Sequence, residues 1–190
     1  MHPIHHTDSF ILKIAPAGET NARVWLFTRE FGLVMATVQG VRRARAKLRM
    51  QLSEYTRASA DLVKGRDTWR LVNVITTAHP LSGNTRGALA RSFVRTLHAV
   101  LRFCRGEEAN EELFLHLTHC VDCLFEDHQP LSFDTVSLSR VMALLGYGSI
   151  PEGEEWMMEL PLGEASSRIS PLSRSRLIKS ANESIGYTQL

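Results

Sequence analysis

The sequence predicts an α+β protein: a five-stranded N-terminal β-barrel followed by a helical C-terminal domain. Three observations lead there. Up to residue 80, short runs rich in β-branched and aromatic residues alternate with period two. Beyond Pro80 the apolar period changes to 3.6. Net positive charge is also confined to the first part of the chain. Residues 1–80 carry 12 Lys/Arg against 6 Asp/Glu, whereas 81–150 carry 6 against 8 and 151–190 carry 4 against 6. A basic module joined to a mildly acidic one is the charge pattern of a polyanion-binding domain with an appended partner domain. The expected boundaries are 1–80 for the barrel, 81–148 for the helices, and 149–190 for an irregular connector ending in one short helix.

The barrel strands read in order. In FILKIA, Phe10, Leu12 and Ile14 share one face, and the turn around Pro16 and Gly18 ends the strand. RVWLFTR and LVMATVQ follow, separated by a hairpin turn leading to Gly32, and Gly40 closes the third strand. After a basic segment, residues 55–63 and 69–76 give two more strands around Lys64-Gly65-Arg66-Asp67. Five short strands with a longer insertion after the third fit an oligonucleotide-binding (OB) barrel. Spacing alone leaves an SH3-like barrel or open sheet standing beside it.

The insertion, VRRARAKLRM, is the most informative stretch. Arg42, Arg43, Arg45, Lys47 and Arg49 place five cations in eight residues with no acid between them. Such a run repels itself unless a polyanion neutralises it, and phosphate contacts of this kind release condensed counterions without reading sequence. Arg57, Lys64, Arg66 and Arg70 extend the basic set onto the later strands and turn. Trp25, Phe27, Tyr55 and Trp69 are the candidate base-stacking aromatics; a small barrel also needs aromatics for its core.

These elements resemble the N-terminal domain of the RecO family. The order is an apolar strand, Gly18-Glu19-Thr20, Leu26-Phe27-Thr28, Gly32, then Gly40 with Arg42 and spaced cations up to Leu48. The chain departs from the family pattern where Lys-Gly reads Gln39-Gly40 and where Leu-Gln-Pro reads Leu52-Ser53-Glu54. The resemblance continues through Pro80–Asn84 and into Met142–Gly148. It implies an OB fold and a recombination mediator that binds single- and double-stranded DNA and anneals strands. Acting with RecR and single-stranded-DNA-binding protein, such a mediator helps RecA load. Family members usually run longer, so functions carried by their C-termini are not implied.

In the helical part, residues 88–105 put Leu89, Phe93, Leu97, Val100 and Cys104 on one face. Arg91, Arg95, Arg102 and Arg105 fall within about an 80° arc opposite, at 100° per residue. This Arg stripe is a second candidate surface, for DNA or for an acidic protein segment. An adaptor built on it is the alternative to the DNA reading. A second helix starts near Asn110 with Leu113, Phe114, Leu117, Val121, Leu124 and Phe125 inward, its Glu107, Glu108, Glu111 and Glu112 suiting the helix dipole. A third runs from about Phe133 to Leu145 and ends at Gly146.

Metal and catalysis find little support. Cys120 and Cys123 form a CxxC that shares an arc with His116 and Asp127, but structural zinc takes a second ligand pair from elsewhere. Only Cys104 and scattered histidines remain, and the cluster of His2, His5 and His6 lies at a terminus expected to fray. We therefore expect no metal, no cofactor and no enzyme: nucleophile elbow, P-loop and HExxH are all missing. Three cysteines make no disulfide framework, and the first ten residues lack a signal-peptide pattern. The expectation is a bacterial cytoplasmic, nucleoid-associated protein.

Overall fold

The computed structural model describes residues 3–41, 47–66, 68–82, 87–126 and 129–187, with backbone only for 47 and 184–187. It separates into two compact units. Residues 1–82 together with 104–111 form the first, and 83–103 with 112–190 the second.

The first unit is a closed barrel in the order β1-β2-β3-β5-β4: β1 Ile4–Ala17, β2 Asn21–Thr28, β3 Gly32–Val38, β4 Thr56–Lys64 and β5 Trp69–Ala78. β3 and β5 pair in parallel, and the other neighbours are antiparallel. This is the OB arrangement, and closing the sheet leaves no open strand edge. β1 runs well beyond the FILKIA core because it serves two partners. Ile4–Ile11 pair with β4 and Ser9–Ala17 with β2, with a bulge between Ile11 and Lys13. The bulge turns the strand from one partner to the other, which is why Phe10, Ile11 and Leu12 are all buried in succession. Where the β4 pairing stops at Thr56, the strand's first residue, the preceding Glu54 side chain takes over and accepts the Ile14 N–H at 2.7 Å.

The core behaves as strand alternation requires. Ile11, Val24, Leu26, Val34, Ala36, Ala60, Leu62, Trp69 and Leu71 point inward and are sealed from solvent. A fully buried Leu, Ile or Val contributes about 1.5–3 kcal/mol over its exposed form. The basic insertion contains an element the alternation does not announce: α1, Lys47–Gln51. Leu48 and Leu52 pack on the barrel core. Gln51 fastens the helix to β5, accepting the Thr76 N–H at 3.2 Å through Oε1 and the Thr76 hydroxyl at 2.7 Å through its carbonyl.

The second unit contains α2 (Gly87–Phe103), α3 (Glu111–Cys123, of which Glu111 belongs to the first unit), α4 (Pro130–Leu144), α5 (Trp156–Glu159), α6 (Leu162–Arg168) and α7 (Pro171–Tyr187). α4 is its hub, packing on α2, α6 and α7. It carries Phe133, Val136, Val141 and Met142 inward together with buried Ser137, Ser139 and Arg140. Thr96 on α2 and Ser137 on α4 join hydroxyls at 2.9 Å. Gly146, at φ 75°, lets the chain turn out of α4, with Tyr147 N–H returning to the Met142 carbonyl at 2.9 Å.

Several expectations need correction. Residues 149–170 are not an irregular connector: α5 and α6 occupy much of the stretch and bury Met157, Leu162 and Ala165. The Gly, Pro and acid content hid helices that packing, not propensity, holds. The terminal helix is 17 residues long. α2 stops at Phe103, and Cys104–Glu111 groups with the barrel. Phe125 is 65% exposed, since α3 has already ended. His5 and His6 belong to β1 and do not fray: His6 Nδ1 lies 2.6 Å from Asp61, and the His5 ring meets Phe31 and Trp69 edge-on. His2 is outside the described residues.

Candidate nucleic-acid interface

Strand pairing assembles a surface that no single segment of sequence displays. In register across the barrel wall, Lys13 on β1 faces Trp25 on β2, which faces Met35 on β3. Two residues along, Ala15 faces Arg23, Arg23 faces Thr37, and Thr37 faces Arg70 on β5. Their neighbours in sequence point into the core, so all of these point outward. Lys13, Arg23, Met35 and Arg70 are exposed and Trp25 is half-exposed. The Lys13 ammonium lies 5.2 Å from the centre of the Trp25 ring. Adjacent strands are about 4.8 Å apart and alternate residues about 7 Å. Three cations therefore surround one accessible indole and a methionine on a patch a few residues across. OB barrels use the face of strands 2 and 3 with the β1–β2 and β4–β5 loops for oligonucleotides, and Arg66 stands exposed in that β4–β5 turn.

The residues singled out from sequence fare differently. Arg42, Arg43 and Arg45 lie outside the described residues, and Lys47 is described only as the first backbone position of α1. Arg49 is exposed on α1, whose anchoring by Leu48, Leu52 and Gln51 directs it outward. Arg57 is half-buried and pairs with Asp8 at 3.4 Å. Lys64 pairs with Glu107 at 2.8 Å and lies 5.0 Å above the Trp69 ring. Lys64 in turn holds the Glu107 carboxyl below its usual range. Among the described residues no ion pair engages Lys13, Arg23, Arg49, Arg66 or Arg70.

Two of the four aromatics are not available for stacking. Phe27 and Trp69 are buried, Trp69 inside the barrel core. A barrel this small must spend its large rings on its interior. Tyr55 is half-buried at φ 64° in the entry to β4, its N–H donating to Ile11 at 2.7 Å. Among the described residues, Trp25 is half-exposed and set among cations. Lys13 and Arg23 escaped the sequence reading because they are isolated in sequence. The signal was the i, i+2 spacing of Arg23 and Trp25, which strand alternation places on one face.

The Arg stripe is also reduced. Arg91, Arg95 and Arg102 are exposed on α2, but Arg95 donates to Asp134 of α4 at 3.0 Å. Arg105 lies beyond the end of the helix. Around the CxxC, Cys120 and Cys123 are buried free thiols that burial pushes up to about 12 and about 11. His116 is buried with Nε2 3.2 Å from the Ser137 carbonyl oxygen, and Asp127 is outside the described residues. No group of three metal-ligating side chains gathers among the described residues, and none of their helices is long and apolar enough to cross a membrane.

Comparison with known proteins bears on the family and fold of the first unit. Residues 1–81 match the family model described as Recombination protein O N terminal. A curated relative, the DNA repair protein RecO of Thermoanaerobacter sp. (strain X514), is 26% identical over 149 residues, covering 74% of this chain. The chain spans 57% of that relative's length.

Proposed function

We propose that the chain is a member of the RecO family and a DNA-binding mediator of recombinational repair. The match of residues 1–81 to the family's N-terminal model and the 26% identical relative support this reading. In this reading it binds single- and double-stranded DNA through phosphates and anneals complementary strands. With RecR and single-stranded-DNA-binding protein it helps RecA load. It performs no bond chemistry: annealing requires neutralised phosphates and sequence-blind contact.

The observation that carries the reading is the outward face of the closed barrel. There Lys13, Arg23 and Arg70 stand around Trp25 and Met35, beside Arg66 in the β4–β5 turn. Cations track a backbone and an indole offers a stacking surface to any base. The basic run Arg42, Arg43, Arg45, Lys47 and Arg49 enters the barrel unit between β3 and β4 and supplies further phosphate contacts. Arg57 and Lys64, engaged by Asp8 and Glu107, contribute least.

The test is fluorescence anisotropy of a labelled single-stranded oligonucleotide at several salt concentrations. It compares wild type with an Arg42/Arg43/Arg45→Ala triple and a Lys13/Arg23/Arg70→Ala triple. Each triple should flatten the salt dependence, since each lost phosphate contact removes about 0.7 from the slope for single strands. Absence of binding by wild type at low salt would reject DNA as the direct partner.

A further inference from the structure

The segment between α2 and α3 behaves as part of the barrel, and it is acidic. Cys104–Glu111 groups with the first unit, and residues 107–112 contain Glu107, Glu108, Glu111 and Glu112. Its backbone is clamped at the β2–β3 turn: a Cβ on Gly32 would run into the backbone of Glu108. On either side of that clamp a carboxylate takes a barrel cation. Glu107 Oε2 lies 2.8 Å from Lys64 Nζ, and Glu111 pairs with Arg29 Nη2. Lys64 ends β4 at the mouth of the β4–β5 turn, and Arg29 follows β2 in the β2–β3 turn. Both pairs are substantially exposed, with side-chain exposures of 56% and 42% for Lys64–Glu107 and 44% and 60% for Arg29–Glu111. Exposed ion pairs stabilise little, typically about 0–1 kcal/mol, and the backbone clamp already holds the segment. The larger consequence of the two carboxylates is electrostatic, because they cancel two cations on the rim of a surface whose Lys13, Arg23, Arg66 and Arg70 form no ion pair among the described residues.

We infer that Glu107 and Glu111 act as built-in phosphate mimics that mask Lys64 and Arg29, so that these two cations are withheld from nucleic acid. The inference rests on the DNA reading of the barrel and adds a limit to it. The bound strand is confined to the Lys13–Trp25–Arg23–Arg70 face and the basic insertion, and it gains the rim only when the acidic strap is neutralised or displaced.

The test uses the full chain and the same labelled oligonucleotide. Glu107→Gln/Glu111→Gln preserves side-chain size and leaves the Gly32 clamp in place. It should tighten binding and steepen the log–log salt slope by about 1.4, two contacts at about 0.7 each. Glu108→Gln/Glu112→Gln changes net charge by the same amount at carboxylates that form no ion pair among the described residues, and should leave the slope near wild type. Lys64→Ala/Arg29→Ala should change little in wild type and abolish the gain in the Glu107→Gln/Glu111→Gln background. An unmoved slope in a folded Glu107→Gln/Glu111→Gln protein that still binds DNA overturns the masking alone. An equal gain from the Glu108/Glu112 control does the same. If neither wild type nor variant binds at low salt, the DNA reading itself falls, and the masking with it.

Discussion

The Arg140 guanidinium donates from Nε to the carbonyl oxygen of Met157 at 2.6 Å, and from Nη2 to that of Leu160 at 2.6 Å. Arg140 projects from the buried hub helix α4 and is 6% exposed. One buried cation thus holds the C-terminal end of α5 and the chain leaving it. These carbonyls lie at a helix end, where backbone acceptors lack partners within the helix. Arg140→Ala strands both oxygens and leaves a void, so it should lower unfolding stability by about 3 kcal/mol or more, at about 1.5–3 kcal/mol per charge-assisted bond. Arg140→Lys should recover only part, because an ammonium cannot span two acceptors with a planar fork. Urea unfolding monitored at Trp156 fluorescence reads both; equal stability of wild type and Arg140→Ala would refute the clamp.

Gly32 offers a sharper backbone test. Its φ is 64° and a methyl there would collide with the backbone of Glu108, which cannot yield as a side-chain end can. Gly18 also has positive φ, 73°, but a Cβ there meets nothing within 4 Å. Gly18→Ala should therefore cost only the left-handed penalty, about 1–2 kcal/mol. Gly32→Ala should cost clearly more and loosen the acidic strap as well. Thermal unfolding of the two variants side by side gives the comparison; equal losses would mean the strap moves aside freely.

How much of this was legible beforehand follows from the range of the forces. The five strands were readable because alternation is local, and so was α2, whose Leu89, Phe93, Leu97 and Val100 mark one buried face. The outward Lys13–Trp25–Met35 row was not, because it depends on register between strands distant in sequence. The same holds for Arg95, whose partner Asp134 lies on another helix. Glu107 and Glu111 looked like ordinary N-terminal helix acids, and only their approach to Lys64 and Arg29 showed another role. α5 and α6 lacked propensity signals because packing supplies their stability, α6 on α4 and α5 on α6.

His116 sets a pH dependence. Burial first, and then the nearby Arg140 charge, push its imidazole down to about 3, so it is neutral in the folded protein. Unfolded, it regains an ordinary value near 6.5. The unfolded state therefore binds a proton that the folded state refuses. This contribution is fully present above about pH 6.5 and is lost as pH falls toward 3, at up to about 1.4 kcal/mol per pH unit. His116→Gln cannot titrate and should lose less stability than wild type between pH 6.5 and 5 in urea unfolding. Parallel losses in the two proteins would remove His116 as the cause.

The last prediction separates stacking from charge on the barrel face. Trp25 is half-exposed, with the Lys13 ammonium over one side of its ring. A base stacking on it gains roughly 1–3 kcal/mol and, being sequence-blind, needs only an unpaired π-face. Trp25→Ala should therefore weaken single-stranded binding by about that amount while leaving the salt slope intact, since no phosphate contact is lost. Duplex binding, which presents no free base face, should change far less. Lys13→Ala should do the reverse, flattening the slope for both substrates. Trp25 fluorescence gives an independent readout: quenching on adding oligonucleotide should fall in Trp25→Phe, because Trp69 is buried in the barrel core. A Trp25→Ala protein that loses single- and double-stranded affinity equally would assign Trp25 a structural role and leave binding to the cations alone.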